Sequence, residues 1–256
     1  MKPQGTGTNG MTDGRPEKND LLIVGIGASA GGIQALQQFF KQVPANSDMA
    51  YVVILHLSPD HDSKLVEVLQ HVSNIPVRQV TEETKVEANQ VYVVPPNKHL
   101  MMSDGSIVVS PNMHEEDRRA PVDIFFRTLA NSHGSRSICV VLSGTGANGS
   151  MGLKRIKEMG GAAFVQNPRE AEFNEMPRNA IATDMVDEVL PVAEIPRKIL
   201  LYKCTMHRSF KQNIRKRLCR DTNFHKESGH HIYSIASHHR SQKHDFRFSV
   251  SHFSRT

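Results

Sequence analysis

The stretch LLIVGIGASAGG, residues 21–32, decides the fold. Leu21-Leu-Ile-Val-Gly-Ile26 is a short apolar run without alternation, the pattern of a parallel strand buried on both faces. A Gly-rich turn follows. Ile33, Leu36, Phe39 and Phe40 then recur at helical spacing. The next apolar run, Tyr51-Val-Val-Ile-Leu55, is a second buried strand that ends at His56, and Leu65, Val66, Val68 and Leu69 predict the apolar face of another helix. Between Ile75 and Ser110 the elements become short strands, 77–80, 91–94, 99–102 and 107–109, separated by Pro95-Pro96-Asn97 and Asp104-Gly105. A helix from Val122 to about Ala130 leads to Ser137-Ile-Cys-Val-Val-Leu142, a third buried strand. After it come the turn 144–149, a helix from Met151 closed by Gly160-Gly161, a strand at 162–165, a short helix opened by Met176-Pro177 and a strand over 185–190. This alternation predicts an α/β fold: a doubly wound, mostly parallel sheet with a small antiparallel excursion, in three α/β/α layers.

Composition bounds the function. The formal net charge of +5 is the sum of +9 from residues 203–256 and −4 from residues 1–202. The body therefore gives no electrostatic reason to expect nucleic-acid binding. No run of eighteen apolar residues predicts insertion into a membrane. Residues 1–20 lack the apolar core of a secretory signal and are expected to be a disordered leader. Residues 21–202 form the expected folded domain. Residues 203–256, basic and holding 8 of the 14 histidines, show no sustained period and are expected to be a disordered tail. Cys139, Cys204 and Cys219 have neither disulfide nor zinc spacing, which points to the reducing cytoplasm and to no metal.

Three turns carry the chemistry. Gly27-Ala-Ser29-Ala-Gly31 fits G-x-S-x-G between a strand and a helix, the setting of a nucleophile elbow. The same turn also fits a dinucleotide fingerprint, Gly25-Ile-Gly27-Ala-Ser-Ala30, which would make the chain an oxidoreductase. That alternative requires an acid at the end of the second strand to bind the ribose, and His56 stands there instead. A histidine at that strand end suits a general base for Ser29. The third strand ends in Ser143-Gly-Thr-Gly-Ala-Asn148-Gly149, another Gly-rich turn, which would bring a third group into the same pocket.

These segments resemble the catalytic domain of the chemotaxis protein-glutamate methylesterases, the CheB family. The resemblance is carried by residues 26–32, His56-Leu-Ser-Pro59, Val91–Pro96 with His99-Leu100, residues 143–149, and Gln166-Asn with Met176-Pro-Arg178, in that order over about 21–195. It implies a hydrolase needing no cofactor, which removes methyl esters from glutamate side chains on the cytoplasmic helices of methyl-accepting chemoreceptors and deamidates certain glutamines. By position, Ser29 would be the nucleophile, His56 the base, and the N–H groups of Ala30 and Thr145 the oxyanion hole. Met176 and Arg178 would line the cleft. The family's triad acid falls at Asn148, which can hydrogen-bond an imidazole but not offset its charge. Such a change implies a weakened enzyme, or a chemosensory binding module without turnover. The common two-domain members carry a phosphoacceptor domain ahead of the esterase. The short leader here instead resembles fused methylesterase–methyltransferase proteins, implying a methyltransferase domain or protein as partner.

Overall fold

The computed structural model describes residues 21–55, 64–95, 98–110 and 120–206; the expected leader, most of the expected tail and His56 lie outside them. Seven strands form one parallel sheet: β1 (Leu22–Ala28), β2 (Met49–Leu55), β3 (Val77–Gln79), β5 (Gln90–Val93), β8 (Ser137–Val141), β9 (Ala162–Gln166) and β10 (Glu188–Leu190), in the order β10-β9-β8-β1-β2-β5-β3. A separate antiparallel sheet joins β4 (Thr84–Lys85), β7 (Ser106–Ser110) and β6 (His99–Ser103). Two of the four short strands expected in the excursion, β3 and β5, thus belong to the parallel sheet. The remaining hairpin turns through Asp104 (φ 45°) and Gly105 (φ 81°), the doubly left-handed pair that a tight two-residue loop demands.

Each face of the sheet is covered. On β2, Tyr51 meets Phe39 and Phe40 of α1 (Gly32–Lys41) in edge-to-face contacts, with ring centroids 6.2 and 5.8 Å apart. The alternate residues Ala50, Val52 and Ile54 join a core with Val122, Phe125, Phe126 and Leu129 of α3 (Pro121–His133). Those four α3 positions share one helix face. Helix α2 (Leu65–Val72) buries Leu65 and Leu69, while α4 (Ser150–Glu158) packs beside α3, and α5 (Glu175–Ile181) follows β9. A last helix over 195–206 extends order past Tyr202, where the sequence pattern had been expected to dissolve. Its end is anchored rather than periodic: Tyr202 stands edge-on to Phe164, and Lys203 Nζ donates to the Ser47 carbonyl at 2.7 Å and pairs with Asp48 at 3.2 Å.

Gly25 and Gly27 lie inside β1, not in the turn after it, and both face α3. A Cβ at Gly25 would stand 3.0–3.2 Å from Phe125, Phe126 and Leu129, and one at Gly27 would overlap Val122 Cγ1. The glycines are therefore explained by helix-on-strand packing. The dinucleotide alternative needs its glycines in the turn, against a pyrophosphate, and is overturned.

Two outcomes follow from this packing. Gly27→Ala should destabilise the chain by about 1–3 kcal/mol in chemical denaturation, with part of the loss recovered in the Gly27→Ala/Val122→Ala double variant. His133, buried at the end of α3, has its pKa pushed down to about 4, first by burial and then by Arg136 nearby. The unfolded histidine titrates near 6.5. The unfolded chain thus binds the extra proton, so this stabilisation is complete above about pH 6.5 and is lost as pH falls toward 4. Thermal melts across that window should show a flatter pH slope for His133→Leu than for the parent chain.

Candidate active site

The winding of the sheet reverses at β1, which has β8 on one side and β2 on the other. At such a switch point the loops leaving adjacent strands part to opposite faces and open a crevice beyond their carboxyl ends. Ser29 leaves β1 there, and Ser143–Gly149 leaves β8 there. On the other side, register pairs Leu55 with Ala28. The residue before Ser29 is therefore opposite the residue before His56.

The β1–β8 ladder continues past the assigned strands. Leu142 N–H donates to Gly27 O at 2.9 Å, and Ser29 N–H donates to Ser143 O at 3.0 Å. The two turns are thereby joined by backbone. A Cβ at Gly144 would lie 2.9 Å from Ser29 Cβ and would overlap Met176 Sδ, so only glycine lets the second turn touch the serine. Gly31 takes φ 68° and caps α1, while Gly32 N–H closes the turn onto Ser29 O at 2.8 Å. Ser29 thus sits at the positive end of a ten-residue helix.

The buried Ser143 hydroxyl donates to Ala30 O at 2.9 Å and accepts Phe173 N–H at 3.0 Å. It binds the serine turn, the β8 turn and the loop before α5 into one unit. Gln166, 3% exposed at the end of β9, accepts Ser143 N–H through Oε1 at 2.8 Å. Gly144 N–H donates to Phe173 O, and Gly144 O accepts Met176 N–H, both at 2.9 Å. Among the described residues, neither Ala30 N–H nor Thr145 N–H donates to a protein acceptor, and Ala30 and Thr145 lie on the two turns that meet at Ser29. Two such amides converging on one point are what an oxyanion requires.

Asn148 is half-buried and its Oδ1 accepts the backbone N–H of Asp123 at 3.2 Å. Asp123, 7% exposed in the first turn of α3, accepts Gly152 N–H through Oδ1 at 2.7 Å. The left-handed positions of this turn are Gly146 (φ 79°) and Gly149 (φ 99°) and not Asn148, so its amide is not explained by a left-handed backbone. Met176 is buried beneath Gly144, supporting the turn from within, whereas Arg178 is exposed on α5. Sequence reasoning missed Asp123 and the role of Ser143. An acid in a helix's first turn and a serine in a Gly-rich turn are ordinary there, and their partners lie far away in the chain.

Cys139 lies wholly buried in β8, where burial pushes its thiol far up, and Cys204 is exposed; neither belongs to this cluster. No helix among the described residues is long and apolar enough to cross a membrane.

Comparison with known proteins places the sequence and the fold in one family. The family described as CheB methylesterase matches residues 24–199. A protein of Leptospira interrogans is 34% identical over 171 residues, covering 66% of this chain and 89% of the other. The protein-glutamate methylesterase/protein-glutamine glutaminase of Hydrogenovibrio crunogenus is 31% identical over 182 residues, covering 70% of this chain and 48% of that protein. Its counterpart in Pyrococcus abyssi is 31% identical over 192 residues, covering 73% and 52%. This chain therefore spans about half the length of those last two relatives. The crystal structure of the Thermotoga maritima CheB methylesterase catalytic domain superposes with a TM-score of 0.66 at 27% identity, covering 71% of this chain and 98% of that one. With the family's sequence pattern running through nearly all of the parallel sheet and its catalytic-domain fold reproduced, the chain belongs to the CheB methylesterase family.

Proposed function

We infer that this chain is a protein-glutamate methylesterase and glutamine deamidase acting on methyl-accepting chemoreceptors, with Ser29 as its nucleophile. The observation that carries this is the contact of the Ser29 turn with the Ser143–Thr145 turn at the switch point of the sheet. In this mechanism Ser29 Oγ attacks the glutamyl ester carbonyl as its proton passes to His56. The carbonyl oxygen becomes an oxyanion held by the N–H groups of Ala30 and Thr145. Collapse expels methanol, which takes the proton from the imidazolium, and leaves an acyl-serine. Water attacks in the same way and releases the glutamate carboxylate. A glutamine side chain follows the same path with ammonia as leaving group. Neither step calls for a cofactor. The substrate face is a receptor helix in the cytoplasm, and a methyltransferase domain or protein supplies the opposing reaction.

Asn148 sets the rate. A triad acid accepts the imidazole N–H and stabilises the imidazolium. Here the amide oxygen already receives Asp123 N–H, and the other end of the amide is an NH2 donor. A carboxylate at 148 could keep the Asp123 bond with one oxygen and present a second acceptor. This favours a second reading beside the first, a docking module that binds receptor with little turnover.

Two measurements test these readings on a methyl-esterified receptor segment. Asn148→Asp should raise kcat by about 10²–10⁴ with KM little changed, since loss of the carboxylate in a serine triad costs about 10⁴. An unchanged rate would mean that residue 148 is not the third group. Ser29→Ala, alone or with Asn148→Asp, should stop methanol release. Equal release with and without the hydroxyl would remove the serine mechanism altogether.

A further inference from the structure

We propose that Glu175 and Asn179, on α5, are positioning residues that clamp the oxyanion turn and direct Thr145 N–H at the reacting oxygen; this rests on the methylesterase reading above. The clamp acts on a single peptide-bonded residue from both sides. Glu175 Oε2 accepts Gly146 N–H at 2.8 Å, and Asn179 Nδ2 donates to Gly146 O at 2.8 Å. The two side chains are four residues apart on a helix and so lie on one face of α5.

The placement matters because of what surrounds it. Four consecutive amides run through the turn. Ser143 N–H is taken by Gln166, Gly144 N–H by the Phe173 carbonyl, and Gly146 N–H by Glu175. Thr145 N–H is left without a protein acceptor among the described residues. One segment, residues 166–179, thus consumes the amides on both sides of Thr145. Gly146 has φ 79°, a region open to glycine with little cost, so no side chain of its own restrains this residue. Residue 145 itself is exposed and gains nothing from packing. Hydrogen bonds, rather than burial, must therefore hold the turn: Met176 N–H fixes the Gly144 carbonyl of the peptide that carries Thr145 N–H, and Glu175 and Asn179 fix the two peptides that follow it.

A carboxylate beside an oxyanion hole also carries an electrostatic cost, because a negative charge opposes the developing one. If the role of Glu175 is to position, the acceptor oxygen matters and the charge does not. Glutamine at 175 keeps the oxygen and drops the charge, so Glu175→Gln separates the two.

The experiment uses the full chain carrying Asn148→Asp, compared with the same chain carrying in addition Glu175→Ala, Glu175→Gln or Asn179→Ala. Amide exchange at Thr145 and Gly146 is followed by NMR, and kcat and KM are measured on a methyl-esterified receptor segment. Glu175→Ala and Asn179→Ala should each speed exchange at Gly146. Each should also lower kcat about threefold to tenfold, the worth of one hydrogen bond, with KM unchanged. Glu175→Gln should restore both quantities to the parent value or better. Three results overturn the proposal: exchange unaltered in Glu175→Ala, faster exchange with kcat unaltered, or Glu175→Gln as impaired as Glu175→Ala. If Ser29-dependent turnover is absent even in the Asn148→Asp parent, the methylesterase reading fails. The clamp is then judged on exchange alone, where a faster Gly146 amide in both alanine variants supports it and equal rates refute it.

Discussion

Two backbone hydrogen bonds hold the site together, Leu142 N–H to Gly27 O and Ser29 N–H to Ser143 O. They prolong the β1–β8 ladder by a step beyond the strands, so the Ser29 turn and the 143–149 turn are extensions of one sheet. A loop normally has its own freedom, and a site built from two loops would have to restrain both. Here the restraint is inherited from the most buried part of the molecule, where Ile23, Val24, Ile26, Ile138, Val140 and Val141 are each fully buried. Preorganisation of this kind is what electrostatic catalysis requires, because dipoles already aligned cost nothing to orient when charge develops.

That closeness depends on missing side chains. Gly27 lets Val122 of α3 settle on β1, Gly144 lets the second turn meet Ser29 above Met176, and Gly152 lets α4 approach to where a Cβ would stand 2.5 Å from Phe126 Cβ. Each of these glycines lies between two elements that must nearly touch. Glycine costs conformational entropy on folding. The return is an arrangement in which the first turns of α3 and α4, the end of β1 and the end of β8 share one small volume. Asp123 is the polar tie in that volume, donating its N–H to Asn148 and accepting the N–H of Gly152.

Asn148 ties the 143–149 turn to the first turn of α3 through its amide oxygen. Its oxygen completes the bond from Asp123 as a carboxylate oxygen would, so the fold has no reason to reject it. What differs from a carboxylate is the remaining end of the group, an NH2 donor in place of a second acceptor. One atom of the side chain thus ties the 143–149 turn to α3, and the other faces outward from that bond as a donor.

The sequence by itself determined the kinds of element and their order, because buried parallel strands and amphipathic helices are local patterns that burial enforces. It also marked Ser29 and the 143–149 turn, whose glycines are legible as turns. It left the G-x-G of β1 with two readings, since one chain cannot show whether a glycine serves a phosphate or the underside of a helix. It stopped the ordered domain at Tyr202, since the next turn of helix is held by Lys203 reaching Ser47 and not by a period of its own. Only the tertiary structure decided which polar groups meet. Ser143 Oγ and Ala30 O are 113 residues apart in sequence, and Asn148 lies 25 from Asp123. A hydrogen bond over such a separation leaves no periodic trace in the chain, because only the folded sheet brings its two ends together.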